Sequence, residues 1–153
     1  MQKYSNLKIL VTGSTGMLGS SYVNMSSDLF DLIITSSTNN EYIHLDITDS
    51  LSVKRVLGKY KPDIILNCSA YTNVDKSEEN KNLAHSINVG GLEKLIKYSD
   101  KNTKIIHISS DYIFDGESGP YDEGSLPSPV NYYGKTKHEA DNILVSSVRK
   151  SLI

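Results

Sequence analysis

Apolar residues fall into short runs along this chain, separated by helix-length stretches of mixed character. Lys8 to Val11, Leu32 to Thr35, Tyr42 to Leu45, Ile64 to Cys68 and Lys104 to Ile108 are rich in Ile, Val and Leu, and most end at a small or turn-forming residue. Continuous runs of this length predict strands buried on both faces, as in a parallel sheet. Between them the apolar spacing becomes helical. Leu51, Val53, Val56, Leu57 and Tyr60 are spaced for one stripe, with Asp49 as its cap and Pro62 as its stop. Leu83, Ile87, Leu92, Leu95 and Ile96 mark a second stripe that gives out in the polar stretch from Ser99 to Thr103. Strand and helix in alternation predict an α/β fold, a doubly wound parallel sheet.

Two stretches stand outside this alternation. From Asp115 to Asn131 the chain carries Gly116, Gly119, Pro120, Gly124, Pro127 and Pro129 with neither helical nor strand periodicity. Loops of that length are usually functional. Ser147 to Ile153 finishes on Leu-Ile and predicts the start of a further strand. No internal repeat or low-complexity segment interrupts the pattern.

Composition narrows the class. At 153 residues the chain is one domain, large enough for a hydrophobic core. Its 16 basic and 18 acidic residues leave a net charge of −2, and the lysines are scattered, so nucleic acid is not expected as a partner. The apolar runs fall far short of the roughly 20 residues of a membrane span, and Gly13 interrupts the one that would have to serve as a signal peptide. The single Cys68 cannot form an intrachain disulfide. Together these predict a soluble, cytoplasmic protein without membrane contact.

The strongest local signal is Thr12-Gly13-Ser14-Thr15-Gly16-Met17-Leu18-Gly19, directly after the first strand and opening a helix. Glycines there let the chain reverse, let backbone approach a pyrophosphate and let helix and strand pack closely. The helix N-terminus adds free N–H groups and a positive dipole end. The bland reading is a tight turn that binds nothing; the position favours a dinucleotide and a Rossmann-like, NAD(P)-binding fold. At the end of the second strand, where an acidic residue would bond the ribose 2′-hydroxyl of NAD, the chain has Thr35-Ser36-Ser37-Thr38. These neutral hydroxyls favour NADP(H) over NAD(H), although no Arg stands there. Asp46, followed by Ile47-Thr48, is placed either to accept from the adenine amino group or to cap a turn.

A second motif is Tyr133-Gly134-Lys135-Thr136-Lys137. A Tyr and a Lys four apart share a helix face, so the ammonium can sit near the phenol and favour its ionised form. With 10 Tyr in the chain, about one such pair is expected by chance, and Tyr4 with Lys8 is another. That pair sits at a strand entry. Tyr133 instead opens a helix, to about Val148, that the Asn131 side chain is placed to cap. A third element, Ser109-Ser110-Asp111-Tyr112, lies at the carboxyl end of the fifth strand, where a hydroxyl faces the ligand crevice or simply ends the strand. His44, His85, His107 and His138 show no metal-ligand spacing; no metal is expected, and His107 reads as a core imidazole. Cys68 reads as a small buried residue.

Taken together the motifs resemble the dTDP-4-dehydrorhamnose reductase family of the extended short-chain dehydrogenase/reductase superfamily. The likeness rests on GSTGMLG at 13–19, LDITD at 45–49, LNCSAYTNVDKSEEN at 66–80, INVGG at 87–91, ISSDYIFDG at 108–116 and PYDEGSLPSPVNYYGKTKHEAD at 120–141. It implies NAD(P)H-dependent reduction of the 4-keto group of a nucleotide-linked 4-keto-6-deoxysugar. Catalytic roles would fall to Ser110, polarising the keto oxygen, Tyr133, delivering the proton, and Lys137, bonding the nicotinamide ribose and lowering the tyrosine pKa. Gly13, Gly16, Met17, Leu18 and Gly19 would line the pyrophosphate, Ser36 and Ser37 the adenosine ribose, Asp46 and Ile47 the adenine, and Cys68, Ser69 and Ala70 the riboses. Thr72, Val74, Asp111 and Tyr112 match positions near the sugar. The family's proteins are longer, so residues 1–153 would form the NAD(P)-binding domain, without the nucleotide-sugar-binding region and with little turnover alone. A nucleotide-sugar substrate and a second copy in a homodimer are the candidate partners. Two alternatives share the pattern: an NADP-binding regulatory subunit resembling the methionine adenosyltransferase β subunit, and a nucleotide-sugar epimerase or dehydratase.

Overall fold

The computed structural model describes residues 7–147 and 149–153. Tyr4 of the competing pair and Val148 at the far end of the expected last helix lie outside the described residues. Strands β1 (Lys8–Thr12), β2 (Asp31–Ser36), β3 (Ile43–His44), β4 (Ile64–Asn67), β5 (Lys104–His107) and β6 (Ser151–Leu152) form one sheet in the order β3-β2-β1-β4-β5-β6. Every pairing is parallel. The strand order reverses beside β1, and in open α/β sheets the crevice at such a reversal is where ligands bind. The Leu-Ile end does begin a strand: Leu152 of β6 pairs with Ile106 of β5.

The helices are α1 (Met17–Ser26), α2 (Ser50–Tyr60), α3 (Val74–Glu79), α4 (Lys81–His85), α5 (Gly91–Tyr98) and α6 (Tyr132–Ser146). On one sheet face Val53, Val56 and Leu57 of α2, Leu92 and Leu95 of α5, and Ala140 and Leu144 of α6 close over Leu10, Ile33, Ile65 and Ile105. On the other, Val23 of α1 packs with Ile9, Val11 and Leu66. Each such large side chain contributes about 1.5–3 kcal/mol by leaving water. Helices on both faces make the sheet doubly wound, as the alternation predicted.

Local chemistry sets the boundaries. The Asp49 carboxylate accepts from the N–H groups of Leu51 and Ser52 at 2.9 and 3.2 Å, and Lys61, left-handed at φ 45°, ends α2 just before Pro62. Three expectations are corrected. Leu51 is not part of the buried stripe: it sits in the first turn, 76% exposed. The second stripe is not one regular helix, because a π turn over Ser86–Gly90 separates α4 from α5. Its extra residue turns what precedes it by about 100°, which leaves Leu83 49% exposed. β3 is shorter than the run from Tyr42 to Leu45, since the Tyr42 N–H is used in a turn to the Asn39 carbonyl. Cys68 and Ile108 lie just past the ends of β4 and β5. No helix among the described residues is long and apolar enough to cross a membrane.

Candidate active site

The turn after β1 is built on contacts that only glycine permits. Gly13 has φ +64°, and a Cβ there would stand 2.8 Å from the backbone of Cys68 and Ser69. The Ser69 N–H donates to the Thr12 hydroxyl at 3.2 Å, tying the ends of β1 and β4 together. The Gly16 N–H is used by the Gly13 carbonyl. Helix α1 then begins with no side-chain cap and no acidic residue in its first turn, whereas Asp49, Asn73 and Asn131 cap α2, α3 and α6. The free N–H groups of that first turn, at the positive end of the helix dipole, suit a diphosphate.

A cleft of about 700 Å³ opens from this helix end. Its lining includes Gly13, Gly16, Met17, Leu18 and Gly19, then Ser36, Ser37, Asp46 and Ile47, then Cys68, Ser69, Ala70 and Thr72, together with Tyr133 and Lys137. Residues far apart in the chain are thus brought to one crevice. Thr35 is not among them: it is buried, and its hydroxyl donates to the Val11 carbonyl at 2.7 Å. Asp46 makes the turn that one of its two readings required, accepting the N–H and hydroxyl of Thr48 at 2.8 and 2.7 Å on Oδ1.

Asn131 caps α6 as expected, accepting from the Gly134 N–H at 2.7 Å. Lys137 is 1% exposed; its Nζ donates to the Ile108 carbonyl at 2.6 Å and stands 3.1 Å from His107 Nε2. Burial pushes its pKa down to about 8, with the Asp141 charge pulling it back up. The Tyr133 phenol departs from expectation. Burial holds its pKa above the ordinary tyrosine value, the Ser110 side chain works against this, and Asp111 and Tyr112 add to it. The ammonium donates to the Ile108 carbonyl and stands beside His107; Lys137 is not among the groups that shift the phenol, which keeps its proton.

Ser110, Asp111, Tyr112 and Val74 do not line the cleft. A 3₁₀ turn spans Asp111–Ile113, capped by Ser110, whose Oγ accepts from the Tyr112 N–H at 3.2 Å. That turn lies against Tyr133, with the Tyr112 ring edge-on at 5.7 Å. It can approach only because residue 134 is glycine, since a Cβ there would collide with the Tyr112 carbonyl. Val74 starts α3.

The profile of the RmlD substrate binding domain family matches residues 7–153. The chain belongs to this family. A dTDP-4-keto-6-deoxy-D-glucose reductase of Streptomyces niveus is 36% identical over 138 residues, covering 89% of this chain and 46% of that protein. The β subunit of methionine adenosyltransferase 2 from Xenopus tropicalis is 34% identical over 142 residues, 90% of this chain and 42% of that one. The solved structure of a dTDP-4-dehydrorhamnose reductase from Bacillus anthracis in complex with NADP has a TM-score of 0.87 at 30% identity, over 96% of this chain and 52% of that one. The chain therefore spans about half the length of the relatives it matches.

Several residues of this RmlD-family site escaped the motif reading. Asn88, buried in the π turn, accepts the Tyr71 N–H at 2.7 Å and donates to the Tyr71 carbonyl and Thr136 hydroxyl at 3.2 and 2.9 Å. It fastens the cleft floor to α6. His107 is the buried imidazole expected, bonded through Nδ1 to Asn67 at 3.0 Å, but its other nitrogen meets Lys137. Asp141, one turn beyond Lys137, carried no signal beyond helical spacing. The Cys68 thiol, pushed up to about 11 by burial, is a poor nucleophile at neutral pH.

Proposed function

We propose that this chain supplies the cofactor-binding and proton-donating side of an NADPH-dependent reduction, acting on the 4-keto group of a dTDP-linked 4-keto-6-deoxysugar. One observation carries the reading: the uncapped N-terminus of α1 and the Tyr133–Lys137 pair share one cleft. The N–H groups of the first turn of α1 hold the diphosphate, and the neutral Ser36 and Ser37 accommodate a 2′-phosphate. The complex of the B. anthracis relative with NADP supports the same preference. When bound, the dinucleotide supplies the hydride. Lys137 donates to the nicotinamide ribose, and Tyr133, kept protonated by burial, gives its proton to the carbonyl oxygen as negative charge develops there. Ser110, beside the phenol, steadies that oxygen. Thr72, Val74, Asp111 and Tyr112 would meet the sugar from this side, with most of its pocket supplied by the additional length that the relatives have, and the single Cys68 suits a reducing cytoplasm.

Mixing the protein with NADPH and a dTDP-4-keto-6-deoxysugar, and following the absorbance of the reduced cofactor, tests the reading. Oxidation that depends on the sugar supports it. NADPH binding without oxidation, together with co-purification of a methionine adenosyltransferase, supports instead a regulatory-subunit role, which the X. tropicalis relative makes the second reading.

A further inference from the structure

Below Lys137 lies a chain of polar side chains that the reduction as described leaves unused. The Thr12 hydroxyl donates to Asn67 Oδ1 at 2.6 Å, so the Asn67 amide N–H is left to donate to His107 Nδ1 at 3.0 Å. With Nδ1 an acceptor, the proton of neutral His107 resides on Nε2. That N–H faces the Lys137 ammonium at 3.1 Å, and two donors cannot satisfy each other. An acceptor stands close by. Asp141 Oδ1 is 3.8 Å from His107 Nε2, and among the described residues it is the one buried side-chain oxygen or nitrogen without a hydrogen-bond partner. The other oxygen of that carboxylate is fixed by the Ser109 hydroxyl at 2.5 Å.

We infer that Asp141 is a positioning residue of this site: its carboxylate is the buried counter-charge that, through His107, holds Lys137 as an ammonium directed into the cleft. Neither the Ile108 carbonyl that accepts from Lys137 nor the imidazole beside it brings negative charge, and a buried ammonium without one sheds its proton. The titratable groups around it are His107 on β5, Tyr133 one turn earlier on α6 and Asp141 one turn later, with His138 acting on Asp141. His107 stays neutral near pH 7, since burial and the Lys137 charge lower its pKa to about 3. Burial raises the Asp141 pKa, while the Ser109 hydroxyl and the Lys137 and His138 charges work against that rise; of these groups Asp141 is then the one placed to carry a negative charge. The consequence for NADPH rests on the proposed reductase reading; the charge assignment does not.

The test is a pH titration of Lys137 in protein carrying ¹³C-labelled lysine, followed at the ε-carbon and assigned with Lys137→Arg. The wild-type midpoint is expected at about 8. Asp141→Asn should lower it by about one unit or more, and Asp141→Glu, which keeps the charge, should bring it back towards wild type. Ser109→Ala, which loosens the carboxylate, should lower it by less and decides the matter should Asp141→Asn not fold. A midpoint that stays at the wild-type value in the folded Asn or Ala variant overturns the assignment, whatever happens to thermal stability. NADPH titrated into the same proteins should bind more weakly above the same midpoints. Absence of NADPH binding alongside the shifted midpoint removes the reductase reading and leaves the role of Asp141 standing.

Discussion

One substitution made at two glycines separates the role of the β1 turn from helix propensity. At Gly13 alanine must adopt φ +64°, a left-handed conformation that costs a non-glycine residue about 1–2 kcal/mol. Its Cβ also arrives 2.8 Å from the backbone of Cys68 and Ser69. Backbone cannot rotate away as a side chain can, so the ends of β1 and β4 must separate, at a further cost of about 1–3 kcal/mol by analogy with overpacking. The sum is a destabilisation of about 2–5 kcal/mol. At Gly58, inside α2, nothing lies within 4 Å of the added carbon, and alanine should stabilise by about 0.5–1 kcal/mol. Urea denaturation of both variants gives the two numbers, and calorimetry with NADPH adds a binding loss for Gly13→Ala alone. Should Gly13→Ala unfold at the wild-type midpoint and bind NADPH unchanged, the close-packed turn described above would be wrong.

Other consequences follow from the same geometry. Tyr133→Phe in an active enzyme should slow the reduction by about 10²–10⁴-fold with NADPH affinity little changed, read as kcat against the dissociation constant. His107 should make the fold acid-sensitive. Its folded-state pKa of about 3 lies below the ordinary 6.5, so the unfolded chain binds the extra proton and stability falls as pH drops from about 6.5 towards 3. The slope is about 1.4 kcal/mol per pH unit, and His107→Gln should flatten it in denaturation curves taken across that range. Asp49→Ala should cost about 0.5–2 kcal/mol through loss of its two capping bonds, measured by chemical denaturation.

Legibility from sequence divides along the range of the interactions. The glycine turn, the caps at Asp49 and Asn131 and the strand begun by Leu152 are local, and each could be read from neighbouring residues. Leu51 was misplaced because the cap decides which turn comes first, and Leu83 because an inserted π residue leaves no mark on apolar spacing. The Asn67–His107–Lys137–Asp141 cluster depends on the parallel register that sets Asn67 beside His107 and on α6 lying over that edge. No periodicity reports such a meeting. The Tyr133–Lys137 spacing pointed to two residues that share the cleft wall but not to a phenol whose pKa burial raises, since burial and the partners of the ammonium emerge only in three dimensions.

The most direct measurement is a crystal structure of the protein grown with NADP. The diphosphate should lie on the N–H groups of the first turn of α1, the adenosine ribose by Ser36 and Ser37, the nicotinamide ribose against Lys137 and the nicotinamide beside Tyr133. A dinucleotide bound outside this cleft, or one whose nicotinamide end points away from Tyr133, would contradict this arrangement.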